Sequence, residues 1–189
     1  MIEFESVTTR GGDKGFTSLF DGSRKRKDSQ VIRLMGMIDS LNASFGIVRS
    51  DSDIRQYDKN LISHIQNDLY EIMSILSGYK KYFGKDKVEF LEKKQKLFMR
   101  FCKIPVQFIN FGDNRQSAEL NALRAHIRSV ESFYCEYENR EPIILEYFNR
   151  LSDLVYVLSL VYEHKNKKKL SVRKSSGNFF KNWLNSIIK

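Results

Sequence analysis

Two groups of side chains have the types and spacing to hold a phosphorylated ligand. The first is Thr8-Thr9-Arg10-Gly11-Gly12-Asp13-Lys14-Gly15-Phe16-Thr17-Ser18, which concentrates glycine, hydroxyl and basic groups. Glycine lets backbone N–H groups approach an anion closely, as in the nests that cradle phosphate. Lys27 adds a point charge. No G-x-x-x-x-G-K-[ST] run leads into a helix, so this is not a Walker A loop, and an ordinary tight turn accounts for the same composition. The second group is Asp39 and Asn42, then Asn121, Arg124, Arg128 and Glu131, then Asn149 and Ser152. Each stands one residue after an apolar position of a helical repeat. One residue is about 100° of helix rotation, so these groups flank packed seams. Charges in such places are costly unless they are paired or hold a ligand. They read either as a solvated flank with a structural ion-pair network, or as a polar pocket between helices or subunits. In the second reading Arg124 and Arg128 supply forked donors matched to phosphate.

The elements that must position these groups are helices. Residues 1–27 lack helical periodicity and read as an ordered loop with a short hairpin. Asp28 or Ser29 then caps a helix of about 20 residues with its seam at Val31, Leu34, Ile38, Leu41, Phe45 and Val48. A second helix begins near Asp53, buries Ile62, Ile65, Leu69, Ile72 and Leu76, and ends at Gly78 or Gly84. A third, more charged helix spans Lys87 to Lys103 with Phe90, Leu91, Leu97 and Phe101, and Pro105 stops it. A fourth runs from about Ser117 to Glu138 over Leu120, Leu123, Ile127, Val130 and Tyr134. Glu141-Pro142 opens a fifth over Ile144, Phe148, Leu151, Val155 and Leu158. Short connections make this an all-α, five-helix up-and-down bundle, one domain over 1–163 with the loop at 1–27 and the bundle at 28–163. Residues 164–189 form a basic C-terminal tail whose Phe179, Phe180, Trp183, Leu184, Ile187 and Ile188 make an amphipathic segment, read as a docked terminal helix or a membrane-surface helix.

Bulk properties exclude several classes. Cys102 and Cys135 are too few for a disulfide framework, and His64, His126 and His164 have no metal-ligand spacing. No stretch of about 18 consecutive apolar residues is present, and the acidic start Met1-Ile2-Glu3-Phe4-Glu5 has no apolar signal region, so the reading is a cytoplasmic chain without a membrane span. The net charge of +9 resides mainly in the tail, which holds eight Lys/Arg and no Asp/Glu. The near-neutral body is therefore not marked as a nucleic-acid binder.

Taken in order, the segments resemble the propanediol-utilisation type of ATP:cob(I)alamin adenosyltransferase, over roughly residues 7–163. Thr9-Arg10-Gly11-Gly12-Asp13-Lys14-Gly15-Phe16-Thr17-Ser18 is similar to that family's T-R-x-G-D-x-G-x-T loop, and Lys27-Asp28 to the lysine–acid pair after it. Gly36-Met37-Ile38-Asp39-Ser40-Leu41-Asn42 resembles G-x-x-D-E-L-N, and Ile65-Gln66-Asn67-Asp68-Leu69 the second-helix segment. Arg124, Arg128 and Glu131 match R-x-x-x-R-R-x-E, and Tyr147-Phe148-Asn149-Arg150-Leu151-Ser152-Asp153 resembles Y-L-N-R-L-S-D. Four places depart from the pattern: Ser40, Ser129, Arg33 and Phe111-Gly112-Asp113-Asn114.

The resemblance implies a ferritin-like, cobalamin adenosyltransferase-like bundle that assembles as a homotrimer with active sites at subunit interfaces. It implies that Thr9, Arg10, Gly11, Gly12, Thr17, Ser18 and Lys27 hold the phosphates of ATP. It implies that Arg128, Glu131 and Asn149 hold the rest of the nucleotide, with Mg2+ carried on the phosphates. Asp39 and Arg124 would pair across the interface, and Phe108 would lie beneath the corrin ring and displace the lower cobalt ligand. The substrates implied are ATP and cobalamin. The implied partners are a cobalamin reductase and an adenosylcobalamin-dependent enzyme. Two alternatives stay open: a catalytically weakened relative that binds ATP or cobalamin as carrier or sensor, and a non-enzymatic basic helical bundle.

Overall fold

The computed structural model describes residues 8, 10–79, 82–102, 104–105 and 109–165. A hairpin of two short strands, β1 (Phe16–Ser18) and β2 (Arg24–Arg26), precedes five helices. These are α1 (Gln30–Ser50), α2 (Gln56–Leu76), α3 (Lys85–Phe98), α4 (Arg115–Cys135) and α5 (Pro142–Lys165). Helix α1 packs on α2 and α4, α4 on α5, and α5 on α3. Helix α3 therefore sits against the last helix rather than between α2 and α4.

The apolar spacing explains the core. Leu34, Ile38, Leu41, Phe45 and Val48 of α1 are buried, as are all five expected seam residues of α2, of α4 and of α5. Each such side chain contributes about 1.5–3 kcal/mol when fully withdrawn from water. Helix α1 is long and apolar enough to cross a membrane by length and composition. Its apolar residues are the central seam of the bundle. Terminations follow local chemistry. The Asn114 side chain accepts from the Ser117 backbone N–H at 3.0 Å and opens α4. Gly78, at φ +92°, turns the chain after α2, where a β-carbon is disfavoured.

Several helix boundaries differ from the sequence expectation, including α4, which runs Arg115–Cys135 rather than from about Ser117 to Glu138. Helix α2 begins at Gln56, because Asp51–Ile54 form a turn in which the Asp51 carboxylate accepts from the Asp53 N–H at 2.8 Å. Helix α3 covers Lys85–Phe98 rather than Lys87–Lys103. The Phe101 N–H bonds back to the Phe98 carbonyl in a tight turn, and Phe101 is 65% exposed rather than in the seam. Pro105 thus lies in the following loop and does not end the helix. Helix α5 continues to Lys165, past the expected boundary at 163. The tail beyond it, with its amphipathic segment, lies outside the described residues.

Candidate functional site

The glycine-rich segment folds as a compact turn. The Asp13 N–H donates to the Arg10 carbonyl, the Gly15 N–H to the Gly12 carbonyl, and the Lys27 N–H to the Gly15 carbonyl. Arg24 Nη2 donates to the Gly11 carbonyl at 2.9 Å and ties the turn to β2. Gly12 leaves room for Lys27: a β-carbon there would stand 2.8 Å from the mobile Lys27 Nζ and displace it. The lysine ammonium therefore lies directly over the turn. Arg10, Gly11, Ser18 and Lys27 are exposed, and Thr17 is half-buried. The hairpin tip is anchored on the end of α2. The Phe20 N–H donates to the Ser77 carbonyl at 2.9 Å, Phe20 meets Tyr79 edge-on, and a β-carbon on Gly78 would sit 2.8 Å from Asp21 Cβ. Thr9 and Phe108 lie outside the described residues.

The polar flanks of α4 and α5 meet. Glu131 faces Arg128, Asn149 and Asp153: burial pushes its carboxyl pKa up, against the pull of Arg128 and Asn149. Asp153 is likewise raised by burial, with Arg150 and Arg128 pulling the other way. Arg124 stands beside Arg128, and burial together with that like charge lowers its pKa. Tyr156 joins them: burial raises its phenol, and Arg124 opposes the rise. Arg124, Arg128, Glu131 and Asn149, expected from sequence, are thus brought together, and Asp153 and Tyr156 complete the group. Two guanidinium groups side by side on a partly dry surface form a natural seat for an oxyanion. Beside Arg128 an open concavity of about 450 Å³ is lined also by Met37, Ser129, Ser132, Phe133 and Glu136.

Asp39 is not part of that group. On α1, Met37 and Ser44 lie on the flank toward α4, where Ser44 Oγ is 3.4 Å from His126 Nδ1. Asn42 and Gly46 lie on the other flank, toward α2: Gln66 Nε2 donates to the Asn42 carbonyl at 3.1 Å. Asp39 is exposed and shares the α2 side of α1 with Asn42, one turn away. The α1 stripe therefore faces away from the groove that the α4 and α5 stripes share.

The departures from the family pattern sit quietly. Ser129 Oγ donates to the Ala125 carbonyl of its own helix at 3.2 Å, and Ser40 and Arg33 are exposed. In the altered loop, Gly112 takes φ +145° and Asn114 caps α4 while its Nδ2 donates to the Tyr162 carbonyl at 2.7 Å.

The sequence reading missed a set of buried polar clamps. Asp68, 1% exposed, accepts from Tyr147 Oη at 2.9 Å and from Lys87 Nζ at 2.6 Å. Asp58, fully buried, accepts from Tyr162 Oη at 2.6 Å and Arg55 Nε at 2.7 Å. Glu163 accepts from Ser117 Oγ. A signal existed: Asp58 falls three and four residues before Leu61 and Ile62, and Asp68 three after Ile65 and four before Ile72, so acids occupy seam positions.

An all-α bundle with a basic groove on one flank and a glycine-rich turn at its N-terminal end is the class these elements define. Residues 7–162 match the cobalamin adenosyltransferase family, and the chain belongs to it. It is 32% identical over 160 residues to the cobalamin adenosyltransferase of Cupriavidus metallidurans, covering 82% of this chain and 86% of that one. It is 25% identical to the corrinoid adenosyltransferase PduO of Citrobacter freundii, matching 84% of this chain but only half the length of that protein. The fold is also that of a variant PduO-type ATP:corrinoid adenosyltransferase from Lactobacillus reuteri complexed with cobalamin and ATP, with a TM-score of 0.81 at 20% identity, over 89% of this chain and 99% of that one.

Proposed function

We propose that this protein transfers the 5′-deoxyadenosyl group of ATP to cob(I)alamin, giving adenosylcobalamin and tripolyphosphate. The observation that carries the reading is the paired guanidinium groups of Arg124 and Arg128 in the α4/α5 groove, with Glu131 and Asn149 beside them. Cobalt(I) brings the electron pair that forms the Co–C5′ bond. The C5′–O bond breaks, and the tripolyphosphate oxygen leaves with that bond's electrons. The protein's task is alignment and charge neutralisation, because the corrinoid itself is the nucleophile. Arg128 takes the growing negative charge on the leaving group, and Glu131 and Asn149 hold the rest of the nucleotide. Mg2+ rides on the phosphates.

The glycine-rich turn of a neighbouring copy covers the triphosphate, with Thr9, Arg10, Gly11, Gly12, Thr17, Ser18 and Lys27 facing it. Asp39 of that copy meets Arg124. The opposed placement of Asp39 and Arg124 within one chain favours a shared site of this kind, repeated three times in a homotrimer. Phe108 packs beneath the corrin ring and favours the four-coordinate cobalt. In the cytoplasm a reductase supplies the reduced corrinoid and an adenosylcobalamin-dependent enzyme consumes the product.

The test is Arg128→Ala. Arg128 is exposed, so the fold should persist. Adenosylcobalamin formation, followed by the optical change from cob(I)alamin, should fall by about 10²–10³-fold, the usual effect of removing one donor to a developing anion. Turnover like the wild type's would remove Arg128 from the mechanism.

A further inference from the structure

Two of the departures from the family pattern meet in space. On α1, Met37 and Ser44 face α4, and Ser40 lies between them, three residues after one and four before the other. On α4, His126 and Phe133 face α1, and Ser129 lies between them at the same spacing. Residues so spaced share one side of a helix. Ser44 meets His126, and Met37 shares a concavity with Phe133, so the helices run antiparallel here and Ser40 stands across from Ser129. Both serines are exposed, and the Ser129 hydroxyl is turned to its own helix.

The motifs G-x-x-D-E-L-N and R-x-x-x-R-R-x-E carry an acid and a base at these two places. Opposite charges on the facing rims of paired helices satisfy each other, and one left alone seeks another partner. The partner within reach of position 40 is Arg128, which lines the concavity with Met37 and Ser129. An acid at 40 without a base at 129 would draw the Arg128 guanidinium toward α1 and away from the α4/α5 groove. Serine at both places removes acid and base together. Of the residues lining that concavity only Arg128 and Glu136 are charged, and Glu136 lies two turns further along α4.

We propose that Ser40 and Ser129 are one coupled exchange, a pair of positioning residues that leaves Arg128 uncontested from the α1 side, so that the double departure keeps nucleotide binding intact. The kinetic consequence rests on the adenosyltransferase reading, whereas the facing of the two positions does not.

The experiment restores the motif residues singly and together in the full-length protein, read by the KM for ATP, the KM for cobalamin and the melting temperature. Ser40→Glu alone should raise the KM for ATP about 2–5-fold, the weight of one exposed ion pair competing for Arg128. It should leave the KM for cobalamin unchanged and the melting temperature within about 2 °C. Ser129→Arg alone should move the KM for ATP by less than about 1.5-fold, because an exposed cation without a partner turns to water. The double variant should return to within about 1.5-fold of the wild type, because the two introduced charges satisfy each other. An unchanged KM in Ser40→Glu, or a double variant no better than it, overturns the proposal. So does a Ser129→Arg variant that by itself lowers the KM by the factor it restores, which is a plain charge effect. The two readings fail separately. Wild-type protein without adenosylcobalamin formation sinks the function alone. Cross-linking then decides the facing. Ser40→Cys with Ser129→Cys, in protein whose free Cys102 and Cys135 are replaced by alanine and serine, should be joined within one chain by a short bismaleimide. Intact mass that shows no joining, or joining only between chains, overturns it.

Discussion

Replacing Lys87 with methionine tests whether the bundle is pinned by a paired charge in its interior. Lys87 Nζ lies 2.6 Å from Asp68 Oδ1 and 3.1 Å from Glu71 Oε2, and its side chain is 18% exposed. Methionine keeps most of the volume and removes the charge. Asp68 is then left, among the described residues, with the Tyr147 hydroxyl and the His64 ring 3.7 Å away. Breaking a fully buried pair costs about 3–5 kcal/mol, and the solvent that reaches Lys87 lowers this to about 2–4 kcal/mol. For a chain of this size that is a fall of roughly 4–16 °C in melting temperature. Urea unfolding followed by far-ultraviolet circular dichroism measures it. Adding Asp68→Asn should recover part of the loss, because an amide still accepts from Tyr147 and the buried carboxylate charge at 68 is gone. A loss below about 0.5 kcal/mol for Lys87→Met, or a double variant less stable than the single one, would refute the reasoning.

The pair also carries a pH signature. Burial lowers the pKa of Lys87, but its bonds to Asp68 and Glu71 outweigh that, and the net value lies above the ordinary 10.5. Its contribution to stability is therefore complete below 10.5 and is lost as pH rises through the higher folded value. The stability difference between wild type and Lys87→Met should be level from neutral pH to about pH 10 and shrink above it, which paired urea titrations can follow. Gly12→Ala should act on ligand rather than fold. The added carbon would meet the end of the flexible Lys27 side chain at 2.8 Å and push its ammonium aside. The affinity for ATP measured by calorimetry should drop about tenfold, the weight of one charge-assisted bond, with the melting temperature nearly unchanged.

The seams of α1, α2, α4 and α5 were legible because periodic apolar residues in long helices leave one consistent buried face. The groove partners on α4 and α5 were legible for the same reason: a position one step from a seam is fixed once the seam is known. Helix α3 was misjudged because Phe101 looks apolar in sequence, yet the turn after Phe98 swings it into solvent. The start of α2 was misjudged because an Asp51 side-chain turn competes with helix in Asp51–Ile54. The seam positions of Asp58 and Asp68 show in the sequence, but their roles did not, because Tyr162 and Tyr147 come from distant parts of the chain and no local pattern announces such pairings. The position of Asp39 on the α2 side of α1 required knowing which helix covers each flank, which periodicity alone does not supply.

Tyr147 and Tyr162 both reach from α5 to buried acids on α2, at Asp68 and Asp58. They are fifteen residues apart, about 22 Å along the helix axis. A rod pinned at two separated points can neither slide nor roll. The angle at which α5 presents Asn149, Asp153 and Tyr156 is therefore set on its hidden side, by buried atoms. The visible side is then free to change its side chains, as at Ser129 on the neighbouring helix, while the frame that aims them stays put.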